Sequence, residues 1–244
     1  MRTIKLVVAY DGSCYHGYQK QKDYDTIQSI LEEKLALLCG ERVSIAGSGR
    51  TDAGVHALGQ TVTFTTNGRI PCANIVRASR SLLPRDIVVL SAEEMPEGFH
   101  ARCSACWKVY QYRVLCCAFA NPFRVRYTWQ LANELNLVAM NEAAALLLGT
   151  HDFSAFRSSG SVDSSPIKTI YAAAWHKEGS ELVFRIAGDG FLYHMVRIMV
   201  GTLADVGAHR ILPGQISGIL AAKDRKQAGQ LAPACGLMLM KVMY

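Results

Sequence analysis

The sequence predicts an α+β fold built on a largely antiparallel sheet, and three observations point there. Strand-like and helix-like segments mix along the chain without a regular β-α-β beat. The runs at 168–176 and 181–187 read as a pair of neighbouring strands. No glycine-rich phosphate loop of the dinucleotide or nucleotide type occurs, which argues against a doubly wound cofactor fold. With 244 residues the chain can form one large domain or two small ones with real cores.

Residues 3–10 read as a first strand running into the Asp11-Gly12 turn. This start is charged and its apolar run is short, so it is not expected to be a signal peptide. A helix is expected over 26–39, with Thr26 as N-cap and Ile27, Ile30, Leu31, Leu35 and Leu38 at helical spacing, ended by Gly40. Strand-like runs follow at 43–47 and 58–66, then a helix over 72–82 ended by Pro84. Val88-Val89-Leu90 begins a further strand. From Lys108 to Leu115 the chain alternates, placing Lys108, Tyr110, Tyr112 and Val114 on one face. Residues 136–148 read as an Ala/Leu helix. Gly188-Asp189-Gly190 is expected to turn into a helix over 191–206, and a last strand to run over 236–243. Residues 1–105 and 106–244 are taken as two units of strands and helices.

Half of the residues are apolar and 19% are charged, a globular balance. The 26 Lys and Arg exceed the 20 Asp and Glu, and a net charge of +6 permits a polyanionic partner without requiring one. No window carries the ~18 apolar residues of a membrane-spanning helix, so no membrane association is expected and the protein is placed in the cytoplasm. There the eight cysteines should be free thiols. Cys103 and Cys106 form a C-x-x-C, but a zinc site wants a second spaced pair or two histidines. The adjacent Cys116-Cys117 does not supply one, because neighbours on a strand point to opposite faces. No metal and no cofactor are expected.

The chemistry concentrates in Ala46-Gly47-Ser48-Gly49-Arg50-Thr51-Asp52-Ala53-Gly54-Val55-His56-Ala57. Its glycines let the backbone turn tightly and approach a ligand. Asp52 sits at the centre with Arg50 two residues away. An ionised carboxylate there can act as nucleophile or base, and a nearby guanidinium would keep it charged and oriented. On spacing alone, a surface turn in which Asp52 caps local N–H groups and pairs with Arg50 accounts for the segment slightly better, because a glycine-rich turn with one Asp is common.

Gly49-Arg50-Thr51-Asp52-Ala53-Gly54-Val55-His56-Ala57 resembles the signature of the TruA family of tRNA pseudouridine synthases. Four further blocks are similar to that family in the same order. They are Tyr10 to Gln19, Phe99-His100-Ala101-Arg102 with Lys108 to Tyr112, Gly149 to Phe156, and Phe191 to Gly201. Pro233 and Gly236-Leu237 fit its end. The resemblance implies two similar α/β subdomains joined into one extended, mainly antiparallel sheet with the active cleft across its middle. It implies a homodimer that isomerises uridine to pseudouridine in the anticodon stem-loop, at positions 38–40 of tRNA, without metal or organic cofactor. It places Asp52 as the catalytic carboxylate. Tyr110 becomes the tyrosine against the target base, with Tyr112 as the alternative on the same face. Arg197 becomes the arginine paired with the carboxylate, and Arg50 a residue holding the flipped nucleotide. An Arg on the otherwise apolar helix near 191–206 is costly unless paired, which agrees with that role. Tyr193, His194 and Arg197 are expected to crowd one stretch of that helix.

Two rival readings differ in class. A catalytically silent RNA-binding protein would not need the charges Asp52, Arg50 and Arg197. A hydrolytic glycosidase usually carries a second carboxylate within ~5–10 Å, and the nearest candidates, Asp11 and Asp189, read as turn residues. His56, His151 and His194 read as structural histidines.

Overall fold

The computed structural model describes residues 1–160 and 165–244. They fall into two compact units, Met1–Cys106 together with Met238–Tyr244, and Trp107–Leu237. Both are mixtures of helices with mainly antiparallel strands, so the α+β class expected from the sequence holds.

In the first unit, β1 (Arg2–Tyr10) has the alternation of a strand with one face in a core. Ile4, Leu6, Val8 and Tyr10 are buried. It lies between β3 (His56–Thr66) and β4 (Ile87–Met95), antiparallel to both. β10 (Leu237–Met243) adds to the far side of β3 in parallel, pairing Met238 with His56 and Leu239 with Ala57. The ladder of β1 and β3 shifts register between Val8 and Tyr10, a bulge whose extra residue lies on β3, so Tyr10 keeps the buried face of β1.

Helix α1 (Ile27–Cys39) starts and stops where the sequence places it. The Thr26 side chain accepts from Ser29 N–H in a capping box, and Gly40 closes the helix at φ 68°. Helix α2 (Cys72–Leu82) ends at Leu83, the residue that Pro84 bars from helical backbone. The strand expected over 43–47 shrinks to β2 (Ala46–Gly47), paired with β3. Ile45 finds its partners on α1 instead of in a ladder. Its N–H donates to Glu32 Oε1 at 3.2 Å and its carbonyl accepts from Gln28 Nε2 at 3.2 Å.

In the second unit, β5 (Trp107–Cys116) pairs with β9 (Glu181–Gly188), β9 with β8 (Ile167–Glu178), and β8 with β7 (Gly149–Asp152), all antiparallel. β6 (Trp129–Leu131) runs parallel to β5. Helix α3 (Leu137–Ala145) is capped by Asn136, whose side chain accepts from Ala139 N–H. Helix α5 (Gln215–Ala222) was not foreseen. At eight residues it is too short for a clear period, although Ile216, Ile219 and Leu220 give it a buried face.

The helix expected from 191 is α4 (Met195–Gly207). It begins later because His194 takes left-handed backbone at φ 63°, which an α-helix does not accommodate. His194 is held there by Ser158 Oγ, 2.9 Å from its Nδ1, and by stacking on Tyr193 at 3.7 Å. Tyr193 and His194 therefore precede the helix, and the shared helical surface expected for them with Arg197 does not form.

Candidate active site

The loop from Ser48 to Val55 connects β2 to β3 in the first unit. Its backbone is tied down along its length. Ser48 N–H donates to Thr61 O at 2.8 Å, Tyr18 N–H to Thr51 O at 3.0 Å, and Val55 N–H to Asp52 O at 3.1 Å. Two side chains of the loop are tied as well. Ser48 Oγ donates to Gln60 Oε1 at 2.7 Å, and the Thr51 hydroxyl lies 2.8 Å from the phenol oxygen of Tyr10. Ser48 and Thr51 are buried, Asp52 is half-buried and Arg50 is exposed. The loop thus anchors Ser48, Thr51 and Val55 in the protein and leaves Arg50 exposed and Asp52 half-buried between them.

The segment after β1 packs against this loop so closely that two positions must be glycine. A Cβ on Gly12 would stand 2.0 Å from Val55 O. On Gly17, at φ +87°, it would stand 2.9 Å from Thr51 O. His56 completes the clasp. Its Nδ1 lies 3.1 Å from Gly12 N and 3.0 Å from Asp11 Oδ1. The first contact needs a bare ring nitrogen and the second a protonated one, so only one is a hydrogen bond in any tautomer. Asp11 also accepts from Ser13 N–H at 2.9 Å and Ser13 Oγ at 2.6 Å, the geometry of a turn residue. Burial pushes the Tyr10 phenol up to about 12, against hydrogen bonds from Thr51 and Gln60 that favour ionisation. It is therefore neutral at physiological pH and can donate and accept at once.

The other two residues singled out in the sequence lie in the second unit. Tyr110 stands opposite Ile186 of β9, is 8% exposed, and meets the Phe191 ring edge-on at 5.1 Å. Tyr112, its alternative, is wholly buried and donates its hydroxyl to Pro233 O at 2.7 Å. Both tyrosines are buried, Tyr112 completely and Tyr110 nearly so. Arg197 lies in the first turn of α4 and is half-buried. Its Nε donates to Ala232 O at 2.8 Å, and Ala232 N–H returns to Arg197 O at 3.2 Å.

The remaining polar candidates serve local structure. His151 Nε2 lies 2.7 Å from Leu148 O, and Asp189 Oδ1 accepts from Thr169 N–H at 3.0 Å. Cys103 and Cys106 are exposed thiols. Among the described residues, no group of three or more His, Cys, Asp or Glu is placed to hold a metal ion. No helix among them is long and apolar enough to cross a membrane. Sequence reasoning passed over Gln60 and Tyr10, which hold the loop from below. The available signal was slight, a glutamine in step with Val62 and Phe64 on a strand that also carries four threonines.

A family model described as tRNA pseudouridine synthase matches residues 6–103 and 143–244. Curated relatives match along the whole chain. A protein of Thermoanaerobacter sp. (strain X514) named tRNA pseudouridine synthase A is 45% identical over 244 residues, 100% of both chains. Its namesake in Acetivibrio thermocellus is likewise 45% identical over 100% of both. That of Exiguobacterium sp. is 46% identical over 100% of this chain and 98% of its own.

Proposed function

This chain belongs to the tRNA pseudouridine synthase family, and from that premise we propose that it converts uridine to pseudouridine in the anticodon stem-loop, at positions 38–40 of tRNA, with Asp52 as its catalytic carboxylate. It is an enzyme, an isomerase acting on tRNA. The observation that carries the finer reading is the Asp52 loop itself, where a half-buried aspartate follows residues pinned to the sheet.

The reaction exchanges one bond for another. The N1–C1′ bond breaks and a C5–C1′ bond forms. C5 gives up its proton and N1 gains one, so no co-reactant enters. The target base must first leave its stack, at a cost of roughly a few kcal/mol that is least in a loop or at a stem end. Arg50, exposed on the loop rim, engages the flipped nucleotide and its phosphate. Tyr110 supplies the face against which the uracil rests. The Asp52 carboxylate starts glycosidic cleavage by attack at C1′, addition at C6, or abstraction of the 2′ proton. Arg197, fixed at Nε by Ala232, is the partner that keeps this carboxylate charged and oriented. The freed uracil turns and rejoins through C5 while water is kept out, since water at C1′ would make the enzyme a glycosylase.

The same reading has the enzyme work as a homodimer in the cytoplasm, on tRNA, without metal or cofactor. Mapping pseudouridine in total RNA from cells with and without the gene tests it. Loss of the anticodon stem-loop modification alone is the expected result. An unchanged map would refute it.

A further inference from the structure

Gln60 is out of place by the rules of a sheet. Residues directly opposed in an antiparallel ladder share a face, and the register pairs Ile4 with Phe64, Leu6 with Val62 and Val8 with Gln60. Gln60 therefore occupies a core position beside Val8 and is 0% exposed. A buried amide costs free energy unless its groups are satisfied.

Its partners fix which way the amide points. Gly49 O can only accept, so the atom 2.9 Å from it is Nε2. Oε1 then faces Ser48 Oγ at 2.7 Å and accepts its proton. The second Nε2 proton points to Tyr10 OH at 3.4 Å, a long contact. The Tyr10 hydroxyl also pairs with Thr51 Oγ1 at 2.8 Å, a bond in which either hydroxyl can be the donor. The hydrogen-bonded network links Gln60 to Tyr10 and Tyr10 to Thr51, with a branch from Gln60 to Gly49. Three loop residues are thereby held from the core side: Ser48, Gly49 and Thr51. They flank Arg50 and immediately precede Asp52.

We infer that Gln60 and Tyr10 are positioning residues for catalysis, a buried hydrogen-bond hub that sets the direction of the Asp52 carboxylate. This rests on the reading of Asp52 as the catalytic group. The hub touches neither RNA nor the reacting atoms, so it acts on the chemical step and not on binding. Positions 62 and 64 on the same face are apolar, so the sheet itself does not call for an amide at position 60; the loop does.

The test is single-turnover and steady-state kinetics on tRNA for Gln60→Met, Tyr10→Phe, Thr51→Val and Thr51→Ser, with melting curves and tRNA affinity for each. Gln60→Met keeps the length and removes the polar atoms. Tyr10→Phe removes one hydroxyl, so its fold is retained even if the methionine variant melts early. The expected result is a kcat at least tenfold lower for Gln60→Met and severalfold lower for Tyr10→Phe and Thr51→Val. KM and tRNA affinity should stay within about threefold, and Thr51→Ser should stay near the parent because it keeps the hydroxyl. Values of kcat within twofold of the parent for Tyr10→Phe and Thr51→Val would overturn the inference. So would equal losses in Thr51→Ser and Thr51→Val, or losses confined to KM. Asp52→Asn is measured in parallel. If it is inactive while the hub variants are normal, the hub alone fails. If it is active, the reading of Asp52 fails and takes the hub with it.

Discussion

The Nε of Arg197 donates to the carbonyl oxygen of Ala232 at 2.8 Å, so one edge of this guanidinium is committed to the backbone of its own unit. In the proposed reading, the terminal nitrogens remain to grip the carboxylate end-on, with the planar fork as the gripping element. Lysine offers neither the backbone contact nor the fork. Arg197→Lys should bind tRNA normally and turn over at least tenfold more slowly, about 1.4 kcal/mol of barrier. Arg197→Met should be slower still. Steady-state kinetics on tRNA check both, and a lysine variant within twofold of the parent would remove Arg197 from the chemistry.

Tyr110 presents a ring braced by Phe191. If that ring is a platform for the uracil, the ring matters more than the hydroxyl. Tyr110→Phe should retain kcat/KM within severalfold, whereas Tyr110→Leu should lose tenfold or more, in line with the ~1–3 kcal/mol typical of a base stacked on an aromatic side chain. Equal losses in the two variants would assign the function to the hydroxyl.

Binding of tRNA should weaken with salt, with log K falling against log[salt] by roughly 0.7 to 0.9 per phosphate neutralised. The exposed arginines outside the motifs do not contribute alike. Arg124 is paired with the buried carboxylate of Glu181, which also accepts from Arg113 Nη1 at 2.7 Å. Arg124→Ala should therefore lower the melting temperature and leave the salt slope alone. Arg77, Arg80 and Arg85 are exposed on or beyond α2, and a triple alanine variant should flatten the slope. Fluorescence titration of tRNA at several salt concentrations measures it.

Asp152 gives a pH prediction for stability. The Ser154 hydroxyl, and then Lys223 Nζ at 2.9 Å, hold its carboxyl down at about 2. The folded value lies below the unfolded one of ~3.9, so the contribution is present above that pH and lost as pH falls through about 2. The lysine is largely exposed, so the pair is worth about 0.5 kcal/mol. Asp152→Asn should lower the urea midpoint slightly at pH 7, with the difference closing between pH 4 and 2. A difference that persists at the acid end would mean that the charge is not its source.

Much of this was readable because several elements carry their own punctuation. Thr26 and Gly40 mark both ends of α1, and Pro84 marks the end of α2. The Asp52 loop was legible as a glycine-rich connection between strands. What the residues hid was settled by tertiary contact. The start of α4 depends on Ser158 and on the left-handed backbone of His194, neither of which an apolar period reveals. The shortening of β2 depends on Glu32 and Gln28 reaching across from α1. Gln60 looked like one more polar residue of a strand until its register opposite Val8 put it in the core.

Asp52→Asn tests the central claim most directly, because it alters one oxygen and leaves the volume and the loop unchanged. The measurement is pseudouridine formed per mole of enzyme on anticodon stem-loop tRNA, alongside the dissociation constant of the same RNA. The account predicts that product formation is abolished while the dissociation constant stays within a few-fold of the parent. Near-normal turnover by the asparagine variant would contradict it.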